Sequence, residues 1–302
     1  MLEILTKAGC YIAIILLGYF LRKIKFLPDQ TFDVLAKVSL SIALPAAVIA
    51  NTAGKEIQIN LLAIAALGLG CGLVLMLLIC LMHIRCSREE KAFQVLNVAG
   101  YNIGNFAMPF TQSFLGPMGM LTCSLFDIGN AFICLGGAFG IASAMKEGKG
   151  FSLLKILKAP LRSVPFVVYV IMAILNLLGW SLPKPVISLA EIIGSSNAFL
   201  AMLMIGVGFK LSGDREQIGK VVKILGLRYG VGAVLALIFY FVLPFPVEIR
   251  QALVLLVFSP IGSAIPAFTG KLGGDTGLSS AINSISIVCS IVFMVVLLIV
   301  ML

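Results

Sequence analysis

The sequence contains few charged residues. Only 12% of its 302 residues are Asp, Glu, Lys or Arg, and 60% are hydrophobic, whereas a soluble domain has about a quarter charged and about half apolar residues. Mean hydropathy is +1.12. The composition excludes an ordinary soluble domain and predicts an all-α integral membrane protein.

Residue patterns for metal binding, redox chemistry and hydrolysis are also missing. The chain has seven cysteines but no CxxC pair, and His83 is its single histidine, so neither a metal site nor a disulfide framework is expected. No GxxxxGK[ST], GxSxG or HExxH motif occurs, which disfavours direct ATP coupling and an intramembrane enzyme. We predict no cofactor and no enzymatic activity.

Apolar stretches of about 20 residues alternate with charged or Pro/Gly-containing breaks. They number ten, with approximate limits 3–21, 31–52, 58–82, 91–114, 118–144, 161–180, 185–209, 219–243, 247–270 and 276–302. The connections between them are short and leave no room for a soluble catalytic domain. The sequence thus predicts ten transmembrane helices.

The basic residues lie mainly on one side of this arrangement. The odd-numbered connections contain 17 of the 22 basic residues, namely Arg22, Lys23, Lys25, Arg85, Arg88, Lys91, Lys146, Lys149, Lys155, Lys158, Arg162, Lys210, Arg215, Lys220, Lys223, Arg228 and Lys271. The positive-inside rule places these loops in the cytoplasm and both termini outside. This assignment accounts for the net charge of +9 without a nucleic-acid partner. Lys37 lies inside span two, where its i,i+4 spacing from Asp33 favours a local ion pair over the alternative, a direct contact with the substrate.

The two halves of the chain share features that indicate an internal repeat. Pro109 and Gly116 of span four have counterparts with the same separation in span nine, Pro266 and Gly273. The predicted repeats are residues 1–145 and 161–302, joined by a cytoplasmic linker at 146–160. Because five spans is an odd number, the second repeat inserts inverted, as in many secondary transporters.

Spans four and nine both contain helix-breaking residues. The stretches are AGYNIGNFAMPF (99–110) and SPIGSAIPAF (259–268). A backbone break inside hydrocarbon is tolerated where protein, water or ligand satisfies its polar groups, and paired breaks point to a midplane substrate site. Half-helix N-termini aimed there favour an anion. The candidate substrate-binding residues are Asn102, Gly104, Asn105, Pro109, Pro260, Gly262, Ser263 and Pro266.

These motifs resemble the auxin efflux carrier family, which includes plant PIN-type auxin carriers and bacterial malate and malonate permeases. The resemblance covers essentially the whole chain and includes LSIALPAAVIA (40–50), YNIGNFAMP (101–109) and SPIGSAIPAFTGKLGGD (259–275). It implies a 5+5 inverted repeat like that of bile-acid/sodium symporters, in which spans four and nine cross at their breaks and the substrate anion binds beside the crossing.

The sequence also departs from the plant carriers. Tyr101 stands where they have a proline before the crossover asparagine, and their long cytoplasmic loop is missing. The resemblance therefore favours a small carboxylate, carried across a bacterial inner membrane. A homodimer is compatible with the resemblance, although no contiguous GxxxG face requires one.

Ionisable and polar residues inside the spans suggest ion coupling. Asp127 lies roughly 13 Å deep in span five by its distance from the span's outer end, and Asn130 follows it on the same helical face. Asn283 and Ser284 come shortly after the second break. These four residues are the candidate coupling residues for H⁺ or Na⁺, with a structural carboxyl as the alternative reading of Asp127.

The sequence therefore predicts a secondary active permease of small organic anions, mono- or dicarboxylates, that works by alternating access around the crossed helices. A sodium-coupled organic anion symporter and an exporter of auxin-like aromatic weak acids are alternatives within transport. An anion channel is a further, less favoured alternative, because pores also use broken helices.

Overall fold

The structure, a computed structural model, describes residues 2–28, 30–55, 57–148, 150–210 and 215–302, without the side chains of residues 215 and 216. Lys149, one of the predicted cytoplasmic loop residues, lies outside the described residues. The described part of the chain is helical and contains no β-strand. The prediction of an all-α membrane protein is confirmed.

The α-helices vary from 6 to 27 residues. They are α1 (Leu2–Lys23), α2 (Thr31–Val38), α3 (Leu44–Thr52), α4 (Ala63–Met82), α5 (Arg88–Val98), α6 (Met108–Phe132), α7 (Ala138–Glu147), α8 (Leu153–Lys158), α9 (Val164–Leu177), α10 (Lys184–Gly194), α11 (Asn197–Gly208), α12 (Arg215–Phe241), α13 (Val247–Val257), α14 (Ile265–Lys271) and α15 (Thr276–Met301). Wider π-helical turns at Ser39–Ala43, Ile103–Ala107 and Ile133–Gly137 join or precede several of them.

Seven helical stretches within the described residues are long and apolar enough to cross a membrane. They are Leu2–Lys23, Thr31–Thr52, Ile59–Met82, Arg88–Glu147, Lys184–Gly208, Gln217–Phe241 and Thr276–Met301. Leu153–Arg162 and Val164–Leu177, bent by 84°, make an eighth if they count as one span. The count of ten spans stays a prediction, because Arg88–Glu147 counts as one stretch where two spans are predicted, and α13 and α14 are each too short to qualify.

The longest of these stretches, Arg88–Glu147, has 60 residues. A straight helix of that length would extend about 90 Å, three times the hydrocarbon core. Its backbone is interrupted after Val98 and turns sharply at Gly116, where φ is +58°. The turn at Gly116 falls between the limits predicted for spans four and five.

The helices pack in two groups. Helices α1–α3 and α9–α11 form the flanking group, and helices α4–α7 and α12–α15 form the crossing group. Contacts between the groups run mainly through α6, which packs on α3 and α9. Each group combines helices from both halves of the sequence.

Small residues allow the closest helix pairs to form. Helices α4 and α6 approach so closely that a Cβ on Gly68 would overlap the carbonyl of Phe126, and one on Gly129 would overlap the carbonyl of Ala65. Membrane helices associate through this kind of small-residue packing. The GLGCG stretch at 68–72 therefore belongs to an internal helix interface.

Candidate functional site

The first break separates α5 from the π-helical turn at Ile103–Ala107. Gly100 has φ +77°, and Cys134 packs so closely against it that a side chain would not fit. Asn130 of α6 satisfies the backbone of Tyr101: its Oδ1 accepts from the Tyr101 N–H at 2.9 Å, and its Nδ2 donates to the Tyr101 carbonyl at 2.8 Å. One carboxamide thus pairs with both backbone polar groups of Tyr101 within the break.

The second break separates α13 from α14. Asn283 of α15 donates from Nδ2 to the carbonyls of Ile261, at 3.0 Å, and Gly262, at 3.3 Å. The N–H of Ile261 donates to Ser286 Oγ at 3.1 Å. Side chains of α15 therefore satisfy this break as α6 satisfies the first.

The two breaks touch each other. The N–H of Asn102 donates to the carbonyl of Pro260 at 2.9 Å, and Asn105 Nδ2 lies 3.5 Å from Ser263 Oγ. We call this meeting point, formed by residues 99–105 and 258–264, the crossing. The structure therefore places the polar residues of both sequence motifs in one buried region.

Arg228 of α12 also belongs to the crossing, although the sequence pattern assigned it to a cytoplasmic loop. That assignment is wrong, because the side chain is fully buried. Its guanidinium donates to the carbonyls of Val98 at 2.6 Å, Ser259 at 2.8 Å and Pro260 at 3.1 Å. A charged residue within the apolar stretch 219–243 was the signal that could have identified it.

A cavity of about 280 Å³, here named the large cavity, lies between the flanking group and the crossing. Asn102 and Ser263 line it at the crossing, and Arg22, Asp33 and Lys210 line it on the flanking side and at the end of α11. Its other polar lining residues are Ser280, Asn283 and Ser284. The cavity therefore combines neutral hydrogen-bonding groups with two cations and one anion.

Asp33 does not form the predicted ion pair with Lys37. Both residues are described, and no contact within ion-pair distance joins them. The i,i+4 spacing therefore does not produce an ion pair here, and Asp33 lies at the border of the large cavity instead.

A second cavity, of about 140 Å³ and here named the small cavity, lies between the crossing and α9. Asn102 and Ser263 line this cavity as well. Its further polar lining comes from Asn105, Asp127, Asn130, Ser163 and Tyr169, with Gly104 and Gly262 beside them. The two cavities thus border the same two residues of the crossing.

Asn102 is one of the residues of the crossing whose polar side chain has no described hydrogen-bond partner; Tyr101 and Ser259 are others. The backbone of Asn102 is hydrogen bonded, but among the described residues nothing bonds its carboxamide, which is 6% exposed. Asn105 Oδ1 is likewise buried without a described partner. The Asn102 amide can therefore bind a ligand that enters either cavity. The Asn105 Oδ1 can accept from a ligand in the small cavity, and a buried polar atom without a partner gains from such a bond.

Asp127 is connected to the first break through one side chain. Its Oδ1 accepts from Asn130 Nδ2 at 2.7 Å, and the same Asn130 holds both backbone groups of Tyr101. The Tyr169 hydroxyl also interacts with the carboxylate. A change in the charge of Asp127 would therefore change the hydrogen bonds of Asn130, which contacts the backbone of the crossing.

The structure brings most of the predicted site residues together and separates one. Those that border a cavity are Asn102, Gly104, Asn105, Asp127, Asn130, Gly262, Ser263, Pro266, Asn283 and Ser284. Pro260 contributes its carbonyl to the crossing. Pro109 borders neither cavity; it lies in the first turn of α6, and its carbonyl accepts from the Tyr11 hydroxyl at 3.1 Å.

Three residues that the sequence reasoning did not single out also contribute to the site. Lys210 borders the large cavity, and its backbone N–H donates to Ser284 Oγ at 3.0 Å. Arg22 lies nearby and donates to the carbonyl of Val207 at 2.9 Å. Tyr169 of α9 faces the small cavity.

Comparison with known sequences identifies a family. The profile of the family described as "Membrane transport protein" matches residues 10–298, nearly the whole chain. No curated protein matches the sequence.

Proposed function

Since the chain belongs to this membrane transport protein family, the auxin efflux carrier family, we propose that it is a secondary active permease of small organic anions. The observation that carries the proposal is the free carboxamide of Asn102, which faces two cavities at the crossing. Asn102 and Asn105 would hold the anion, and Ser263 would donate its hydroxyl. The membership makes transport the general function, and the charges around the site support the substrate class.

The electrostatics of the crossing favour a negative ligand. The helical turn that begins after Asn102 and continues into α6 places its N-terminal end at the crossing. Such an end carries partial positive charge. Arg22 and Lys210 add full charges at the border of the large cavity. One carboxylate of a mono- or dicarboxylate would accept hydrogen bonds at the crossing. The second carboxylate of a dicarboxylate would reach the basic residues.

The transport cycle that fits this packing is a movement of one helix group against the other. Both cavities lie between the flanking group and the crossing group, and the crossing borders both. Rocking of the groups would open one route to the crossing while closing another, which is alternating access around a fixed site. The shared hydrogen bonds of the two breaks would keep the site intact during this movement.

The membrane arrangement that we propose has ten spans in two inverted repeats. Helices α13 and α14 would form span nine as a broken pair, and the turn at Gly116 would separate spans four and five. Both termini would lie outside a bacterial inner membrane, because most basic loop residues are on the opposite side. The sidedness can be tested independently by labelling single introduced cysteines from outside.

Asp127 is the candidate for proton coupling. Its carboxylate borders the small cavity and bonds Asn130, which in turn fixes the first break. Protonation would remove the negative charge that strengthens this hydrogen bond and so weaken the interaction with Asn130. In this way the charge state of Asp127 would alter the crossing, where the anion binds.

Uptake of labelled malate into proteoliposomes tests the proposal. We expect saturable uptake that an imposed pH gradient enhances and that Asn102→Ala strongly reduces. Saturable flux without enhancement, but dependent on Na⁺ when compared with choline, would favour the sodium-coupled symporter. No uptake of malate under any of these conditions would favour an exporter of aromatic weak acids, and non-saturable flux without counterflow would favour a channel.

A further inference from the structure

One guanidinium connects the two breaks. Arg228 Nη1 donates to the carbonyl of Val98, the last residue of α5, and Nη2 donates to the carbonyls of Ser259 and Pro260, which follow α13. Both acceptor regions are C-terminal ends of half-helices. Such ends carry partial negative charge and carbonyls without helical partners. Arg228 thus satisfies the negative ends of both half-helices at once.

No carboxylate neutralises Arg228 within the described part of the chain. The ion pairs found there are Lys7–Glu3 and Lys146–Glu89, neither of which involves the crossing. The guanidinium stacks on the ring of Tyr101, with Cζ 4.4 Å from the ring centroid, and its Nε–H has no described acceptor. Carbonyl dipoles and a ring face stabilise a cation but leave its net charge in place.

A single carbonyl group separates this charge from the candidate ligand site. The carbonyl of Pro260 accepts from Arg228 at 3.1 Å and from the N–H of Asn102 at 2.9 Å. Asn102 borders both cavities. The field of a buried cation at this range is weakly screened, because little water separates it from the site.

We propose that Arg228 is a positioning residue that supplies the fixed positive charge of the crossing, and that this charge selects anions over neutral ligands of the same shape. The inference rests on the proposed function and deepens it by assigning the source of anion selectivity. A neutral amide side chain could also donate hydrogen bonds to these carbonyls and would cost less to bury than a cation. The charge of Arg228 therefore has a use beyond bracing the two breaks.

Neighbouring Ser259 provides a way to neutralise Arg228 without removing it. Ser259 is fully buried, its hydroxyl has no described partner, and its carbonyl already accepts from the guanidinium. Ser259→Asp introduces a carboxylate beside the cation. Ser259→Asn has nearly the same size and no charge, so this pair of variants differs mainly in the charge it adds.

The experiment measures ligand-induced thermal stabilisation of the purified full chain by malate and malonate and by the corresponding diamides. The titrations give the affinity of each acid relative to its amide, which does not depend on the amount of folded protein or on the transport rate. The variants are Arg228→Gln, Arg228→Lys, Ser259→Asp and Ser259→Asn. Malate uptake by the wild type is measured in parallel.

We expect Arg228→Gln and Ser259→Asp to reduce the acid-to-amide affinity ratio at least about tenfold. Arg228→Lys and Ser259→Asn should keep the ratio within about threefold of the wild type, because they retain the charge. If Arg228→Gln does not fold, the comparison of Ser259→Asp with Ser259→Asn decides the question alone.

An unchanged ratio in Ser259→Asp and in any folded Arg228→Gln, with wild-type uptake of malate intact, would overturn this inference and leave the proposed function standing. Reduced stability with an unchanged ratio would have the same meaning and assign Arg228 to bracing only. A wild type that neither binds nor transports these acids would overturn the proposed function, and the inference with it.

Discussion

The N–H of Asn102 donates to the carbonyl of Pro260 across 2.9 Å, and this bond joins two helix breaks that belong to different halves of the sequence. Each break is also held by its own neighbour, Asn130 for the first and Asn283 for the second. The polar backbone of the crossing is therefore largely satisfied by protein. The side-chain amide of Asn102 has no described hydrogen-bond partner, and Asn102 borders both cavities.

Asn102→Ala removes the free carboxamide at the crossing. We expect uptake of labelled malate at low concentration to fall roughly 10- to 100-fold, because a hydrogen bond to a charged group contributes about 1.5–3 kcal/mol. Asn60→Ala is the matched control, since Asn60 is exposed and lies outside both cavities. Wild-type uptake by Asn102→Ala would show that the anion binds elsewhere.

Asp127→Asn removes the charge of the carboxyl that holds Asn130. We expect uptake to lose its enhancement by an inward proton gradient, while exchange of internal for external malate continues, because exchange needs no net proton movement. Glu191→Gln serves as the control, since Glu191 is an exposed acid on α10. An undiminished response to the gradient in Asp127→Asn would assign the carboxyl to a structural role.

Lys210→Gln removes one cation at the border of the large cavity. A dicarboxylate bound at the crossing would lose a partner for its distal carboxylate, whereas a monocarboxylate would not. We expect the KM for malate to rise roughly three- to fivefold. This is the change that corresponds to the loss of a solvent-exposed ion pair worth up to about 1 kcal/mol. The KM for lactate should stay unchanged, provided that the wild type transports it.

The control for Lys210→Gln is Lys220→Gln, because Lys220 is an exposed lysine that borders neither cavity of the crossing. Equal effects of Lys210→Gln on both acids would argue against a distal carboxylate contact and in favour of a general electrostatic attraction.

Gly100→Ala tests the geometry of the first break. Gly100 has φ +77°, which costs other residues energy, and Cys134 Sγ occupies the space that a methyl group would need. Together these effects should destabilise the protein by about 2 kcal/mol or more, seen as a lower Tm in detergent.

Gly70→Ala is the matched control, because Gly70 lies in α4 with open space around it. Alanine is also favoured over glycine inside a helix. Its Tm should be unchanged or slightly higher. In the double variant Gly100→Ala, Cys134→Ala, removal of the Sγ atom should restore part of the lost stability. A normal Tm for Gly100→Ala alone would mean that the break adopts another backbone conformation.

The sequence predicted the two breaks well and their supports incompletely. Clusters of Asn, Gly and Pro within apolar stretches identified the region around Asn102 and Pro260, because such residues are unfavourable in lipid unless they have partners. Asn130 and Asn283 were noticed as polar residues of the spans, but their use as caps for a broken backbone depends on contacts that sequence spacing does not reveal.

Arg228 shows where the sequence rule failed. Counting basic residues by loop treats every cation near a span boundary as solvated, since that is the usual cheap location. The buried position is stable only because three carbonyls from two distant segments meet at the guanidinium. Nothing in the local sequence of α12 encodes that meeting.

By itself, the sequence determined that the chain is an all-α membrane protein of a transporter family, because hydrophobic composition, short connections and local motifs are properties of the chain read in order. It also located the interrupted helices. Only the tertiary structure decided that the breaks are hydrogen bonded to each other, that Arg228 donates to carbonyls of both, and that two cavities share Asn102 and Ser263. These features arise from contacts between residues far apart in sequence, and such contacts depend on how the helices pack.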